Sequence, residues 1–288
     1  MLKMTGFDVL FAAAGNLYLL LALAGIGVAL WMGKTWVRKL TYAALVLAVF
    51  IAPIAPEIYR TVEYRSKLAK ARALFEERCK TAGEKIYKTV DNVEGVLLVK
   101  IRPDKINFSE QYVMDDPYGQ ENSGGDGYIR SFLAGRVDAH WLTDKTTKGA
   151  YLFVEVVDPA STNITQYTAK NVNKDGRNKL LLNSDVSSPQ GAKYVVDWQD
   201  ESTKTDRDNW IACGSITVLD IGSKEVLGKR IGCMFDMGMG DTSGGRSPWA
   251  YARNTACPTP RKTPDGRAIF DPIDRNFVEK TLKPKTER

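Results

Sequence analysis

Hydrophobic positions along this chain fall into three regimes. From Val9 to Met32 the run is apolar and uncharged, broken only by Asn16 and Tyr18. A second apolar run, Leu40 to Ala55, gains length from the interfacial residues Ile58 and Tyr59. Between them, Gly33-Lys-Thr-Trp-Val-Arg-Lys39 carries three positive charges and a tryptophan, the composition of a tight turn at a headgroup layer. A span needs about 20 apolar residues to cross about 30 Å of hydrocarbon. The pattern therefore predicts a transmembrane helical hairpin over residues 1–56, with Pro53 and Pro56 kinking its exit.

In the next regime, Glu57 to Ala82 holds neither Gly nor Pro, and Leu68, Ala71, Leu74 and Phe75 recur at three- and four-residue intervals. That period predicts an amphipathic stalk helix over 57–83. From Lys85 the period shortens to two. Strands are expected at Lys85–Val90 and Gly95–Ile101 around an Asp91–Glu94 turn, then at Tyr151–Val157, Ile164–Ala169 and Tyr194–Trp198. Ser215–Ile221 and Val226–Gly232 flank Gly222-Ser-Lys-Glu225, the strongest hairpin signal in the chain. Arg102–Gly127 and Asn171–Gln190 read as polar loops, and Asp274–Leu282 as a short terminal helix. The fold class expected is α+β, with residues 84–288 forming a mainly antiparallel β domain.

Charge changes this picture little. The formal net charge is +6, but the first 56 residues contribute four basic side chains against Asp8, leaving the rest close to balanced. No basic stripe interleaved with aromatics accompanies it, so nucleic acid is not an expected partner. The charge does bear on orientation. Basic residues near the span ends favour a cytoplasmic C-terminal domain. The cysteines favour the opposite side, because Cys79, Cys213, Cys233 and Cys257 all follow the membrane region in even number, as suits an oxidising compartment. Symmetry about Ser223 places Cys213 opposite Cys233, leaving Cys79 to pair with Cys257. We side with the cysteines: a two-helix membrane protein with the Lys34–Lys39 turn in the cytoplasm, and both termini and the large domain outside it.

Candidate chemistry is sparse. The single histidine, His140, has no Gly-x-Ser-x-Gly elbow to serve, and the cysteine spacings lack the close pairs of a zinc site. Neither a catalytic residue, a metal nor a cofactor is expected. Asp197, Asp200, Glu201, Asp206 and Asp208 form an acidic region that would suit a carboxylate-dependent hydrolase of glycan or peptidoglycan; Asp115 and Asp116 are a second, smaller group. The most unusual segment is Gly238–Trp249, where four glycines precede Arg246, Pro248 and Trp249; these three are the candidate binding residues. In the first span Ala22, Gly25 and Ala29 make a small-residue face, for packing of the hairpin on itself or for an oligomer.

Three segments carry a resemblance: Cys79-Lys-Thr-Ala-Gly-Glu-Lys-Ile-Tyr87, Gly244-Gly-Arg-Ser-Pro-Trp249 and Phe277-Val-Glu-Lys-Thr-Leu-Lys-Pro284. They are similar to stretches of uncharacterised two-helix inner-membrane proteins of Gram-negative bacteria. The resemblance implies a periplasm-facing placement and carries over no catalytic residue. The function expected is a membrane-anchored, non-enzymatic interaction module facing an envelope or secreted protein, such as an immunity protein or an accessory subunit of a membrane complex.

Overall fold

The computed structural model describes residues 7–103, 124–134, 150–158, 163–174, 177–185, 191–259, 264 and 273–285. It divides into two units, 1–67 and 68–288.

The first unit contains α1 (Phe7–Met32), α2 (Trp36–Ile51) and the first half of α3 (Ala55–Cys79). Thr35 starts α2, its hydroxyl accepting the Arg38 N–H. Within α1, Ala13–Met32 is 20 residues long and apolar enough to cross a membrane. α2 ends at Ile51, short of a span by itself, and meets α3 at a 66° bend across Ala52–Ile54. Pro53 accounts for the break by removing a helix donor. α1 meets α2 at Gly25. Ala29 is buried, and a Cβ on Gly25 would lie 3.0 Å from Val46 Cγ1. Near the other end of the pair the Tyr18 hydroxyl donates to the Phe50 carbonyl, and the two rings meet edge-on at 5.2 Å.

The second unit is built on a mixed sheet, nine-stranded among the described residues. Its strands are β1 (Gly83–Ile86), β3 (Gly95–Leu98), β4 (Phe153–Val157), β5 (Ile164–Lys174), β6 (Arg177–Asp185), β7 (Tyr194–Asp200), β8 (Ile211–Asp220), β9 (Val226–Phe235) and β10 (Ala256–Cys257). The order is β1-β9-β8-β7-β3-β4-β5-β6, with β10 also pairing to β9. Most pairings are antiparallel, but β3 runs parallel to both β4 and β7. A hairpin of β1 with β3 about Asp91–Glu94, which the sequence pattern suggested, does not form. β1 pairs β9, while Val90–Val93 is strand β2, paired in parallel with β11 (Leu282–Pro284). The reason lies in Gly95-Val-Leu-Leu98. Val96 and Leu98 are fully buried, and a continuous apolar run belongs in a sheet interior rather than at its edge. Gly95 is required there, since a Cβ would lie 2.3 Å from the Phe153 ring.

The polar stretch expected to be loop after Asn171 is instead the β5–β6 hairpin, paired from Gln166↔Asp185 to Lys174↔Arg177. β6 ends the sheet order, and a polar outer strand resists further pairing.

Alternation along β8 and β9 sends side chains to two faces. On one face, Ile211, Cys213, Cys233 and Phe235 pack with Ala71 and Phe75 from the C-terminal half of α3. On the other face, Ile216, Val218 and Leu227 join the main core with Tyr128, Ile129, Phe132 and Leu133 of α4 (Gly125–Leu133) and with Phe277 and Val278 of α7 (Ile273–Thr281). A buried ion pair fastens this layer: Arg102 Nε donates to Asp274 at 2.6 Å, and the Tyr128 hydroxyl donates to the same oxygen at 3.0 Å.

Candidate functional site

Beyond β9 the chain enters the glycine-rich segment, and Asp236 organises it. Its buried carboxylate accepts the Gly238 N–H at 3.0 Å, the Gly240 N–H at 2.9 Å and the Arg246 guanidinium, with Arg246 Nη1 at 3.0 Å. Arg246 Nη1 also donates to the Asp241 carbonyl at 2.8 Å, so one arginine closes the loop at two points. Hydrogen bonding to Asp236 raises the already high pKa of Arg246, fixing its charge. Gly240 sits at φ +82°, and a Cβ there would lie 2.1 Å from the Trp210 ring. The glycines therefore build one defined loop rather than a slack one.

The three candidate residues of this segment have different fates. Trp249 is 1% exposed and packs against Trp210 with ring centroids 5.2 Å apart and planes tilted by 39°, with the Arg207 guanidinium 5.3 Å over its ring. Pro248 is buried in the first turn of α6 (Pro248–Ala252). Arg246 reaches the surface, and its guanidinium lies 4.9 Å over the ring of Tyr251. Tyr251 is 54% exposed and Met237 42%, and Asp241, Thr242 and Ser243 are exposed as well, so the loop offers an aromatic ring and a thioether beside a polar stretch, with Arg246 half-buried between them. Sequence reasoning missed Asp236, Trp210 and Tyr251. Two signals could have found them. Asp-x-Gly-x-Gly is the spacing that lets one carboxylate collect successive backbone donors. In α6, Trp249 and Ala252 share the buried side by helical period, which turns Tyr251 outward.

Both cysteine pairs are disulfides: Cys79–Cys257, Cα atoms 5.6 Å apart, and Cys213–Cys233, 4.0 Å apart. All four cysteines lie in one apolar cluster on the α3 face of the sheet.

Each carboxylate of the acidic region has a partner of its own. Asp206 is the N3 residue of a capping box on α5 (Lys204–Asp208), opposite Thr203, and also takes Arg78 in a fork at 2.9 and 2.8 Å. Burial alone would push its pKa up, but hydrogen bonds from Arg78 and Thr203 more than offset this and hold it below the usual aspartate value. Asp200 meets Arg207 at 2.7 Å, Asp208 meets Lys204 at 2.9 Å and Asp197 meets Lys100 at 3.7 Å. Glu201 accepts the Ser215 hydroxyl at 2.5 Å and Lys229 at 3.2 Å, the hydroxyl contributing most to its lowered pKa. Among the described residues no three His, Cys, Asp or Glu side chains converge to hold a metal. His140, Asp115 and Asp116 lie outside the described residues.

No protein-family model, curated protein or solved structure matches the chain.

Proposed function

We propose that the protein is a membrane-anchored, non-enzymatic interaction module of the bacterial envelope. In this reading α1 and the bent α2–α3 pair cross the inner membrane, and the sheet domain faces the periplasm. The observation that carries the anchor is the outer surface of the α1–α2 pair. Leu17, Leu20, Leu23, Leu45 and Val49 are all exposed, an apolar surface of a size that marks a membrane or partner contact. Trp31 and Trp36, 85% and 76% exposed, are interspersed with Lys34, Arg38 and Lys39 at the end of the helix pair, as interfacial anchors are. The periplasmic side is supported by the two disulfides, which persist in oxidising compartments.

The partner surface is the loop held by Asp236, which presents Arg246, Tyr251 and Met237 without needing to order on binding. Arginine and tyrosine are frequent interface anchors, and preorganisation lowers the entropic cost of association. The partner class is an envelope protein or a secreted protein neutralised by binding. The close approach of α2 at Gly25 and the burial of Ala29 favour a self-contained anchor over oligomerisation through that face. Salt-bridged carboxylates in the 197–208 region lend the hydrolase reading no support.

The test is affinity capture of tagged full-length protein from detergent-solubilised membranes, read by mass spectrometry against a Met237→Ala/Tyr251→Ala variant. A partner lost by the variant supports the proposal. A partner captured equally by both, or hydrolysis of an envelope polymer that one carboxylate substitution abolishes, overturns it.

A further inference from the structure

Three adjacent strands set three cysteines in one row. Cys233 on β9 is the register partner of Cys213 on β8 and also of Cys257 on β10. Residues directly opposite in neighbouring strands project to the same face. Cys257 is bonded to Cys79 at the end of α3, so the two bridges lie side by side in a cluster with Ala71, Phe75, Ile211 and Phe235. Their accessibility differs. Cys213 and Cys233 are buried, whereas Cys79 and Cys257 are half-buried. Cα atoms of directly opposed strand residues lie about 4.5–5.5 Å apart, inside the range of about 4.4–6.8 Å that a disulfide spans. The β9–β10 register thus allows a third bond, Cys233–Cys257, with little backbone movement.

We infer that Cys79–Cys257 is a thiol–disulfide exchange site for an external dithiol, and that Cys257 relays the exchange to the buried Cys233. One thiolate of the dithiol attacks Cys79 Sγ, the Cys79–Cys257 bond breaks, and Cys257 leaves as a thiolate. The second thiol of the reductant attacks the mixed disulfide at the reductant's own sulfur, which frees Cys79 as a thiol and leaves the reductant as a cyclic or intramolecular disulfide. The Cys257 thiolate attacks Cys233 Sγ. The Cys213–Cys233 bond breaks, Cys233–Cys257 forms, and Cys213 leaves as a thiolate that takes a proton from solvent. Two electrons and two protons pass from the dithiol to the protein, and one protein disulfide remains. Exchange proceeds through such in-line thiolate attacks and needs no other co-reactant.

The consequence is mechanical. A covalent tie between α3 and the sheet becomes a tie between β9 and β10. α3 is then held at its C-terminal end by the Arg78–Asp206 pair and the Phe75–Phe235 contact, ring centroids 5.5 Å apart. The reading does not depend on the proposed partner surface or on the membrane assignment.

The experiment is titration of native full-length protein with dithiothreitol to the loss of one disulfide, followed by acid quench, maleimide blocking and peptide mapping. The expected product is a Cys233–Cys257 cross-link with blocked Cys79 and Cys213. A singly reduced population without that cross-link, whether it retains Cys213–Cys233 or Cys79–Cys257, overturns the relay. In an independent arm, Cys79→Ser leaves Cys257 as the attacking thiol without added reductant. That variant is expected to show Cys233–Cys257 with Cys213 alkylated, and Cys213–Cys233 alone with Cys257 alkylated contradicts it.

Discussion

Asp236 and Arg246 form a closed ion pair: the aspartate carboxylate is buried, and both terminal nitrogens of the arginine reach it across the glycine-rich loop. The same carboxylate accepts the Gly238 and Gly240 N–H groups on its two oxygens, so replacing one oxygen by an amide nitrogen strands the cation and one backbone donor together. Asp236→Asn is expected to destabilise the sheet domain by about 3 kcal/mol, the range for breaking a buried pair from one side. Urea unfolding of the purified protein measures it. Tyr251→Ala, on the exposed side of the same loop, should shift stability by no more than about 0.5 kcal/mol while weakening partner capture.

Gly240 tests the loop by shape rather than charge. An alanine there would adopt φ +82° and place its Cβ inside the Trp210 ring. Gly240→Ala is expected to cost at least about 2 kcal/mol through overpacking and backbone strain. Gly244→Ala has a positive φ but open space around it, so it should cost only about 1 kcal/mol. Comparing their denaturation midpoints separates steric from conformational cost.

Arg78 and Asp206 carry a pH dependence. The folded pKa of Asp206 lies below its usual value. Its stabilising contribution is therefore fully present above about pH 4, where the unfolded carboxyl is ionised, and is lost as pH falls through the folded pKa. Arg78→Ala is expected to cost about 1–2 kcal/mol at pH 7, the lower end of the range because Arg78 is partly solvated. The difference between wild type and variant should shrink on acidification to pH 3. Unfolding midpoints at the two pH values check this.

In the α1–α2 pair, Gly25 lies under Val46. Gly25→Leu is expected to separate the helices and weaken the pair by about 1–3 kcal/mol, whereas Gly27→Leu, with open space at its Cβ, should have little effect. Thermal stability of the two variants in detergent micelles distinguishes them.

What the sequence made legible is what local pattern controls. The uncharged run ending at Met32 is helix α1, and the residues symmetric about Ser223 are the β8–β9 hairpin. The helical period of Leu68, Ala71, Leu74 and Phe75 matches the side of α3 that packs on the sheet. Long-range competition decided the rest. Whether Gly95–Leu98 pairs with its neighbour in sequence or enters the sheet centre depends on β4 and β7, far along the chain. Arg-Ser-Pro-Trp reads the same with the indole inward or outward; Trp210 and Arg207 supply the site that takes it inward. The polar β5–β6 hairpin had no apolar alternation to announce it, because its outer strand has no neighbour beyond it among the described residues.

An anchored domain outside the cytoplasm is tested by labelling of one introduced cysteine at a time beside the four bridged native ones. Lys34→Cys in the α1–α2 turn and Ser223→Cys in the β8–β9 turn both sit at exposed positions. Each variant would be expressed in a Gram-negative host and treated as spheroplasts with a membrane-impermeant maleimide. A periplasmic domain predicts labelling of Ser223→Cys in intact spheroplasts and of Lys34→Cys only after lysis. Labelling of Lys34→Cys in intact spheroplasts, with Ser223→Cys protected until lysis, would contradict it.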